Sequence, residues 1–368
     1  MSDLFTLTIE GANGSEWVVH GPGSESSPVR LEEGDVGEFY DAPVAVTSKA
    51  RVGQPGSSYR GHRVLERNIV LRLTTFDTSS SLNWSRVDSD LRRAFSYDED
   101  VTLRVSTELS GERYIKVRLA EEPSLNSDHD PLGHRVGRWV FSLTAYDPFW
   151  YSDTYTDEYV FDGLNWYGGG VWVDNPTDVE CWPSWVLTAP AKFILPDWDG
   201  SRQIVIPFQP LGRTAVVQSD PMEEMVVAND DTLLWAEMNG QFFMNPVPAY
   251  TDRTFVPVCV DPLPNLPIVL PDGWREWIAS EIAKWAKALG AEGVFQTTPA
   301  QLGQKIRSII TGVTPDWLEA LSPTILGTLV PNFIADRIVE AWGSVGNMAG
   351  ATAQVRLNRR WSRPWGLE

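Results

Sequence analysis

One short stretch, residues 144–153 with the sequence TAYDPFWYSD, does most to limit how this chain can fold. Before it, Trp139, Phe141 and Leu143 occupy alternate positions, which is typical of a strand whose two faces have different surroundings. Pro148 interrupts that pattern, because proline fixes its own φ, has no amide hydrogen and disfavours helical geometry at the residue before it. We therefore expect one domain to end here and another to begin.

Three adjacent large rings follow the proline, and each has apolar area that an exposed hinge would leave in water. We expect this junction segment to pack as a plug between two domains. The junction segment comprises Tyr146, Asp147, Pro148, Phe149, Trp150 and Tyr151.

A strand that ends in an Ala-x-Asp-Pro-Phe-Trp turn, here residues 145–150, resembles the distal tail proteins of long-tailed bacteriophages, called minor tail proteins in phages of actinobacteria. The resemblance covers residues 1–160 and, more loosely, the β-region that follows. It implies an N-terminal β-domain that assembles into a ring, expected to be hexameric, and a galectin-like sandwich that projects outward. It also implies a place in the virion tail tip, and the lack of a basic secretory segment in the first residues predicts synthesis in the host cytoplasm. The implied partners are further copies of the chain, the tail tube protein, and the tail-tip, tail-associated and tape-measure proteins.

Composition limits the classes of function. The chain has 368 residues, which favours two or three domains, and its formal net charge of −19 argues against a nucleic-acid surface. Residues 153–272 hold 18 acids and 4 bases, which indicates a solvated acidic surface. Since no run approaches the roughly 18 to 20 apolar residues of a membrane span, and the first residues lack a basic segment, we expect neither a membrane protein nor a secretory signal.

Residues 1–150 are predicted to form the ring domain, with β-strands and one helix. A hairpin is expected over residues 4–20, strands over 44–51 and 65–74, and a helix over 82–95, behind serines that can cap it. Residues 53–63, GQPGSSYRGHR, have the composition of a long flexible loop, and the family resemblance would place such a loop where ring subunits touch.

Residues 151–272 are expected to form the sandwich, because strands such as SWVLTA, RQIVIPF, TAVVQS and QFFMN are separated by regular turn sequences. Apolar stripes at helical spacing then predict several short helices over residues 273–348. Strand alternation returns after Gly350, and a lone terminal strand needs a sheet to join. We therefore expect residues 349–368 to complete the sandwich and the helical block to be an insertion into it.

No stretch predicts catalysis or a cofactor, since the sequence contains no GxSxG, HExxH or GxxxxGK[ST] motif. Asp128, His129, Asp130 and His134 have metal-ligand side chains, but their spacing fits no known motif and favours a polar turn. Residues 197–200 resemble a calcium loop only superficially and favour a β-turn. We expect no catalytic, cofactor or metal site and no enzymatic activity.

Seventeen tryptophans are the remaining unusual feature. Exposed indoles on a sandwich can stack on sugar rings, and Trp182, Trp185 and Trp198 are the candidates for this. The simpler interpretation is that the indoles fill the core and subunit interfaces. The sequence thus predicts a mainly β (α+β) fold, and the family resemblance implies a structural tail protein. The alternative is a carbohydrate- or receptor-binding module that recognises a host-surface glycan.

Overall fold

A computed structural model describes residues 5–32, 36–53, 55–77, 79–126, 129–161, 169–188, 191–198, 200–209, 212–223, 226–261 and 350–368. The predicted helical insertion, residues 273–348, lies outside these ranges. The chain divides into two compact units. Unit 1 comprises Met1–Thr154, Pro176–Glu180 and Asn358–Glu368, and unit 2 comprises Tyr155–Asn175 and Cys181–Leu357.

Unit 1 is built mainly of antiparallel strands. They are β1 (Thr6–Glu10), β2 (Glu16–His20), β3 (Val29–Leu31), β4 (Val44–Lys49), β5 (Ser58–Val64), β6 (Arg67–Phe76), β7 (Val101–Thr107), β8 (Gly111–Leu119), β9 (Ser124–Asn126), β10 (Val136–Ala145), β11 (Trp150–Tyr151) and β22 (Arg360–Trp361). The helices are α1 (Ser81–Ala94) and the single turn α2 (Pro131–His134).

One large sheet carries the core of unit 1, in the order β2-β1-β7-β8-β10-β6-β3. The alternation predicted for the strand before Pro148 is confirmed, because Phe141 and Leu143 of β10 are buried. The same strand pairs along its whole length with β6. The short strand β11 joins β8 on one side and β22, from the C-terminal end of the chain, on the other.

The predicted helix is confirmed as α1. The Ser80 side chain accepts a hydrogen bond from the Asn83 amide at 3.1 Å, so one otherwise unpaired donor of the first turn is satisfied. Trp84 and Leu91, three and ten residues into the helix, are buried on one face against the sheet. The apolar stripe thus fixes which side of α1 faces the core.

The flexible loop predicted over residues 53–63 is wrong for most of its length. Ser58–Val64 form β5, which pairs with β4 from Val44 opposite Val64 to Lys49 opposite Ser58. Both strands are largely exposed on both faces, so no alternation of apolar and polar residues marks β5 in the sequence. We call residues 44–64 the arm.

Unit 2 consists of short strands, in agreement with the predicted mainly β fold. They are β12 (Tyr155–Val160), β13 (Gly170–Asn175), β14 (Pro183–Thr188), β15 (Ala191–Pro196), β16 (Gln203–Gln209), β17 (Thr214–Gln218), β18 (Val226–Ala228), β19 (Thr251–Pro257), β20 (Cys259–Asp261) and β21 (Thr352–Leu357). They form sheets in the orders β12-β21-β14-β17-β18, β16-β15-β20 and β13-β19. Buried side chains from all three sheets share one apolar core.

The return to strand alternation after Gly350 is confirmed as β21, which lies between β12 and β14 and pairs antiparallel with both. Residues 358–368, which the sequence places in the sandwich, lie instead in unit 1. We call them the C-terminal segment. Their placement has a physical reason, since Trp361 joins the buried core of unit 1 and Trp365 packs against it.

One predicted strand of unit 2 is wrong. Residues 241–245, QFFMN, are irregular, because side chains take the backbone hydrogen bonds that a strand would use. The Asp197 carboxylate accepts from the amides of Met244 and Asn245, each at 3.1 Å. Within the described residues, no helix is long and apolar enough to cross a membrane.

Candidate assembly surface

The arm is the most exposed ordered part of unit 1. It forms a two-stranded sheet of its own. Apolar side chains that would be buried in a core are open on it: Val46 is 64% exposed, Tyr59 is 64% exposed, and Val52, in the turn, is fully exposed. Because both strands are largely exposed, both faces of the arm are available for a partner. An isolated two-stranded hairpin is only marginally stable in water.

A cleft of about 530 Å³ lies where the arm joins the sheet. The amide of Leu65 donates to the carbonyl of Pro43 at 2.8 Å, which holds the two ends of the arm together. The cleft is lined by Pro43, Arg63, Val64, Leu65, Glu66, Asn68 and Tyr146. Its wall thus combines the base of the arm with the first residue of the junction segment.

The arm is also cationic on an acidic protein. Residues 42–65 contain Lys49, Arg51, Arg60 and Arg63 and no acid. All four side chains are exposed, and among the described residues none of them forms an ion pair. His62 is exposed beside them, with its Nδ1 atom 2.8 Å from the hydroxyl of Tyr59. The positive charge of the arm is therefore uncompensated within the described part of the chain.

The side chains of the junction segment differ widely in burial. Tyr146 is 69% exposed, whereas Trp150 is fully buried in the core of unit 1. The Trp150 indole donates to the Phe39 carbonyl at 3.1 Å and packs edge-on against the Phe39 ring at 5.8 Å. Trp150 is thus the anchor of the segment.

The rest of the junction segment forms a tight turn around Asp147. Its carboxylate accepts from the Phe149 amide at 3.3 Å and from the Tyr151 hydroxyl. Burial, followed by the nearby Asp147 charge, raises the pKa of Tyr151, so this hydroxyl stays protonated and donates. The Pro148 carbonyl accepts from Nε of Arg67 at 3.0 Å. The packing of the whole segment as a plug between domains stays a prediction.

Two buried arginines, which the sequence did not single out, hold the loops around the junction. Arg67 is 1% exposed and donates to the carbonyls of Phe39, at 2.7 Å, and Ser362, at 2.8 Å. Arg113 is fully buried and donates to the Glu368 carboxylate at 2.8 Å, with its guanidinium 3.6 Å from the centre of the Trp361 ring. Burial lowers the pKa of each arginine to about 10, so both are charged at neutral pH.

The strand pattern could have revealed these arginines. Arg67 is in phase with Ile69 and Leu71 of β6, and Arg113 is in phase with Ile115 and Val117 of β8, so both fall on the buried face. A charged side chain at a core-facing position of a strand needs internal partners. Here those partners are mostly backbone carbonyls, many of them in the C-terminal segment.

The tryptophans considered for sugar stacking contribute to the core of unit 2 or pack against it. Trp185 is 2% exposed, and Trp182 and Trp198 are partly buried against the same core. The described indoles with open area on this unit are Trp172, 41% exposed, and Trp235, 53% exposed. The Trp172 ring lies edge-on to Phe255 at 5.4 Å, and the Arg253 guanidinium lies 5.0 Å from its centre.

The described candidate metal ligands lie in and beside the short helix α2. His129 and His134 have ring centres 5.0 Å apart, Asp130 caps α2 by accepting from the Leu132 amide at 3.1 Å, and Asp128 lies outside the described residues. Across the described part of the chain, no three His, Cys, Asp or Glu side chains form a group that could hold a metal ion. Asp197 is fully buried and pins the backbone of residues 244 and 245, which is a structural role.

Comparisons with known proteins identify relatives in phage tails. No protein-family model matches the chain. The chain is 29% identical over 303 residues to the minor tail protein Gp27 of Mycobacterium phage L5, and the alignment covers 67% of this chain and 89% of that protein. It is also 29% identical over 307 residues to the minor tail protein Gp27 of Mycobacterium phage D29, with 68% and 90% covered. These relatives confirm the predicted resemblance to phage minor tail proteins.

Two solved structures are similar in outline. The Dit (gp 19.1) protein of phage SPP1, described as a paradigm of the hub adsorption apparatus in phages that infect Gram-positive bacteria, is 14% identical, with a TM-score of 0.46, over 70% of this chain and 94% of that one. A chain of the phage P2 baseplate in its activated conformation with Ca is 13% identical, with a TM-score of 0.41, over 71% and 98%.

Proposed function

We propose that this chain, a relative of the mycobacteriophage minor tail proteins, is a structural component of the virion tail in which unit 1 assembles several copies into a ring. The kinship supports the tail role. The observation that carries the ring is the arm, which projects from unit 1 with exposed apolar side chains on both strands. Exposed apolar surface of this kind marks interaction sites in soluble proteins.

The arm suits a head-to-tail contact. In such a contact one patch on each copy meets a different patch on the next, and the series closes into a ring when the rotation between copies divides a full turn. A projecting hairpin is one patch of such a pair, because it cannot cover itself. From the family resemblance we assign six copies to the ring and place it between the tail tube and the tail tip. The tail tube, tail-tip, tail-associated and tape-measure proteins are its proposed neighbours.

Removing the arm tests the ring. The Leu65–Pro43 hydrogen bond holds the ends of the arm close, so residues 44–64 can be replaced by a two-residue Gly turn with little strain on unit 1. We expect the complete chain to give a species near six times its mass of 41.1 kDa by mass photometry, and the armless chain to remain monomeric.

A matched pair of substitutions separates the arm from general surface effects. Val46→Ser with Tyr59→Ser should reduce assembly, whereas Leu109→Ser, at a position 85% exposed in the turn between β7 and β8, should not. A complete chain that stays monomeric at all concentrations, or an armless chain that still forms rings, would overturn the proposal.

We also propose that unit 2 is a galectin-like sandwich, and its single core enclosed by three antiparallel sheets supports this assignment. A second candidate function, recognition of a host-surface glycan, is favoured by Trp172, whose open ring could stack on a sugar. Glycan-array binding that Trp172→Ala abolishes and Trp182→Ala retains would support it, and no binding by the wild-type chain would exclude it for the glycans on the array.

A further inference from the structure

We infer that the arm of one copy docks onto an acidic patch at the same end of unit 1 in a second copy, so that opposite charge holds the ring contact. This inference rests on the ring proposed above and names the surface that the arm meets. We call the acidic patch the acidic end, and it comprises Asp98, Glu99, Asp100, Glu121 and Glu122.

The acidic end is formed by two loops that hold one another. The Tyr97 hydroxyl donates to the Glu121 carbonyl at 3.4 Å, and the Leu119 amide donates to the Ser96 carbonyl at 3.0 Å. All five carboxylate residues are exposed. Asp100 is paired with Arg118 at 2.6 Å, whereas the other four form no ion pair among the described residues.

The charge of the arm indicates which kind of surface it binds. The arm carries four cations and no acid, and the protein as a whole has a formal net charge of −19. A cationic hairpin with unpaired charges is attracted to a surface of opposite sign, and like-charged surfaces are disfavoured. A second copy supplies such a surface in the acidic end. Tyr97, 49% exposed within that end, adds an aromatic ring against which the apolar side chains of the arm can pack.

The strand ladder places the arm and the acidic end at the same end of the large sheet. The ladder there has Val101 opposite Val117, Arg118 opposite Thr144, and Ala145 opposite Arg67. One loop of the acidic end immediately precedes Val101, the other follows β8, and the arm immediately precedes β6. The base of the arm and the acidic end therefore emerge from one end of four adjacent strands.

In a ring, this placement puts the arm of one copy at the level of the acidic end of the next copy. Copies in a closed ring are related by rotation alone, so every copy has its acidic end at the same level along the axis. An arm that leaves its own copy at that level needs only to reach sideways. The seven residues of β5 extend about 23 Å at roughly 3.3 Å a residue, which sets the reach of the arm toward the next copy.

Salt gives the first test. Screening shortens the range of charge–charge attraction from about 10 Å at 0.1 M salt to about 3 Å at 1 M. Sedimentation velocity on the complete chain should show rings in about 0.1 M NaCl and at least about tenfold weaker association in about 1 M NaCl. Equal association at the two salt concentrations would contradict an ion-paired contact.

A charge exchange gives the second test. Arg51→Glu with Arg60→Glu in the arm should weaken association by at least about tenfold, and so should Glu99→Lys with Glu122→Lys in the acidic end. The chain that carries all four changes should assemble again, because opposite charges meet once more. Arg86→Glu on α1 and Glu16→Lys on β2 are matched exposed controls that should leave association unchanged.

Each other outcome counts against a defined part of the inference. A wild-type chain that never assembles overturns the ring and the pairing together. If rings form equally well with either pair of substitutions, the contact between the arm and the acidic end is overturned and the proposed ring is not affected. If each pair weakens association but the fourfold variant stays monomeric, the acidic end is not the surface that the arm meets.

Discussion

Arg67 and Arg113 are cations kept inside unit 1 by oxygen atoms that are mostly uncharged. A buried guanidinium retains its proton because its pKa, though lowered to about 10, is still well above neutral pH. Its five N–H groups can bind several carbonyls at once. Each arginine thereby ties together loops that are far apart in sequence, and the C-terminal segment contributes to both.

Trp150 and Tyr146 should respond very differently to truncation, although they lie four residues apart in the same segment. Trp150→Ala removes a fully buried indole and its hydrogen bond to Phe39, so we expect the free energy of unfolding of unit 1 to fall by about 3 to 5 kcal/mol. Tyr146→Ala, at an exposed position, should change it by less than about 0.5 kcal/mol. Hydrogen exchange of the β6 and β10 amides measures both, and equal effects would contradict this assignment.

The Asp41–Arg363 pair should make the C-terminal segment sensitive to acid. The two groups form two hydrogen bonds, at 2.7 and 2.8 Å. The hydrogen bond from Arg363, more than its charge, holds the pKa of Asp41 below its usual value of 3.8. Since the folded pKa is the lower one, the stabilisation is complete above about pH 4 and is lost as the pH falls through the folded pKa.

The measurement is hydrogen exchange of residues 358–368 at about pH 5 and about pH 3, corrected for the intrinsic effect of pH on amide exchange. We expect protection to fall between these values in the wild-type chain. Asp41→Asn should show a smaller fall, because it lacks the titrating carboxylate. An identical pH dependence in the two chains would show that the pair does not hold the segment.

Among the elements, α1 shows how a local signal fixes a boundary. Ser80→Ala removes the cap on the Asn83 amide and should lower the free energy of unfolding by about 1 kcal/mol. Ser85→Ala, within the helix, should be neutral or slightly stabilising, because alanine has the higher helix propensity. Thermal unfolding followed by circular dichroism should show a decrease of roughly 2 to 4 °C for the first variant only. A decrease of the same size in both variants would argue against the cap.

Local patterns predicted the elements whose two faces differ. The alternation in β10 and the stripe on α1 are such cases, since burial of one face leaves a period in the sequence. The strand β5 has no buried face and therefore leaves no period in the sequence, so its composition predicts a loop. The composition of residues 241–245 predicts a strand. The amides of Met244 and Asn245 instead donate to the carboxylate of Asp197, which is far away in the sequence. For the assembly surface, composition showed a long polar stretch but not the hairpin.

At the scale of the whole molecule, the two units depend on different parts of the C-terminal end. Truncation after Leu357 removes Trp361 and the partners of Arg113, so it should lower hydrogen-exchange protection in unit 1 and leave β14 protected. Truncation after Gly350 also removes β21, so it should expose β14 and cause aggregation. Loss of protection in unit 2 by the shorter deletion would contradict this division.

The central position of β21 also sets when unit 2 can finish folding during synthesis. The hydroxyls of Thr188 in β14 and Thr352 in β21 meet at 2.7 Å, yet the residues are 164 apart in the chain. At roughly 5 to 20 residues a second, a ribosome needs about 8 to 33 s to cover that distance. Throughout this interval, the edges of β12 and β14 that later pair with β21 are open in the nascent chain. Unpaired strand edges can pair with other chains. The rate of translation, and any chaperone that covers those edges, should therefore govern the yield of folded protein.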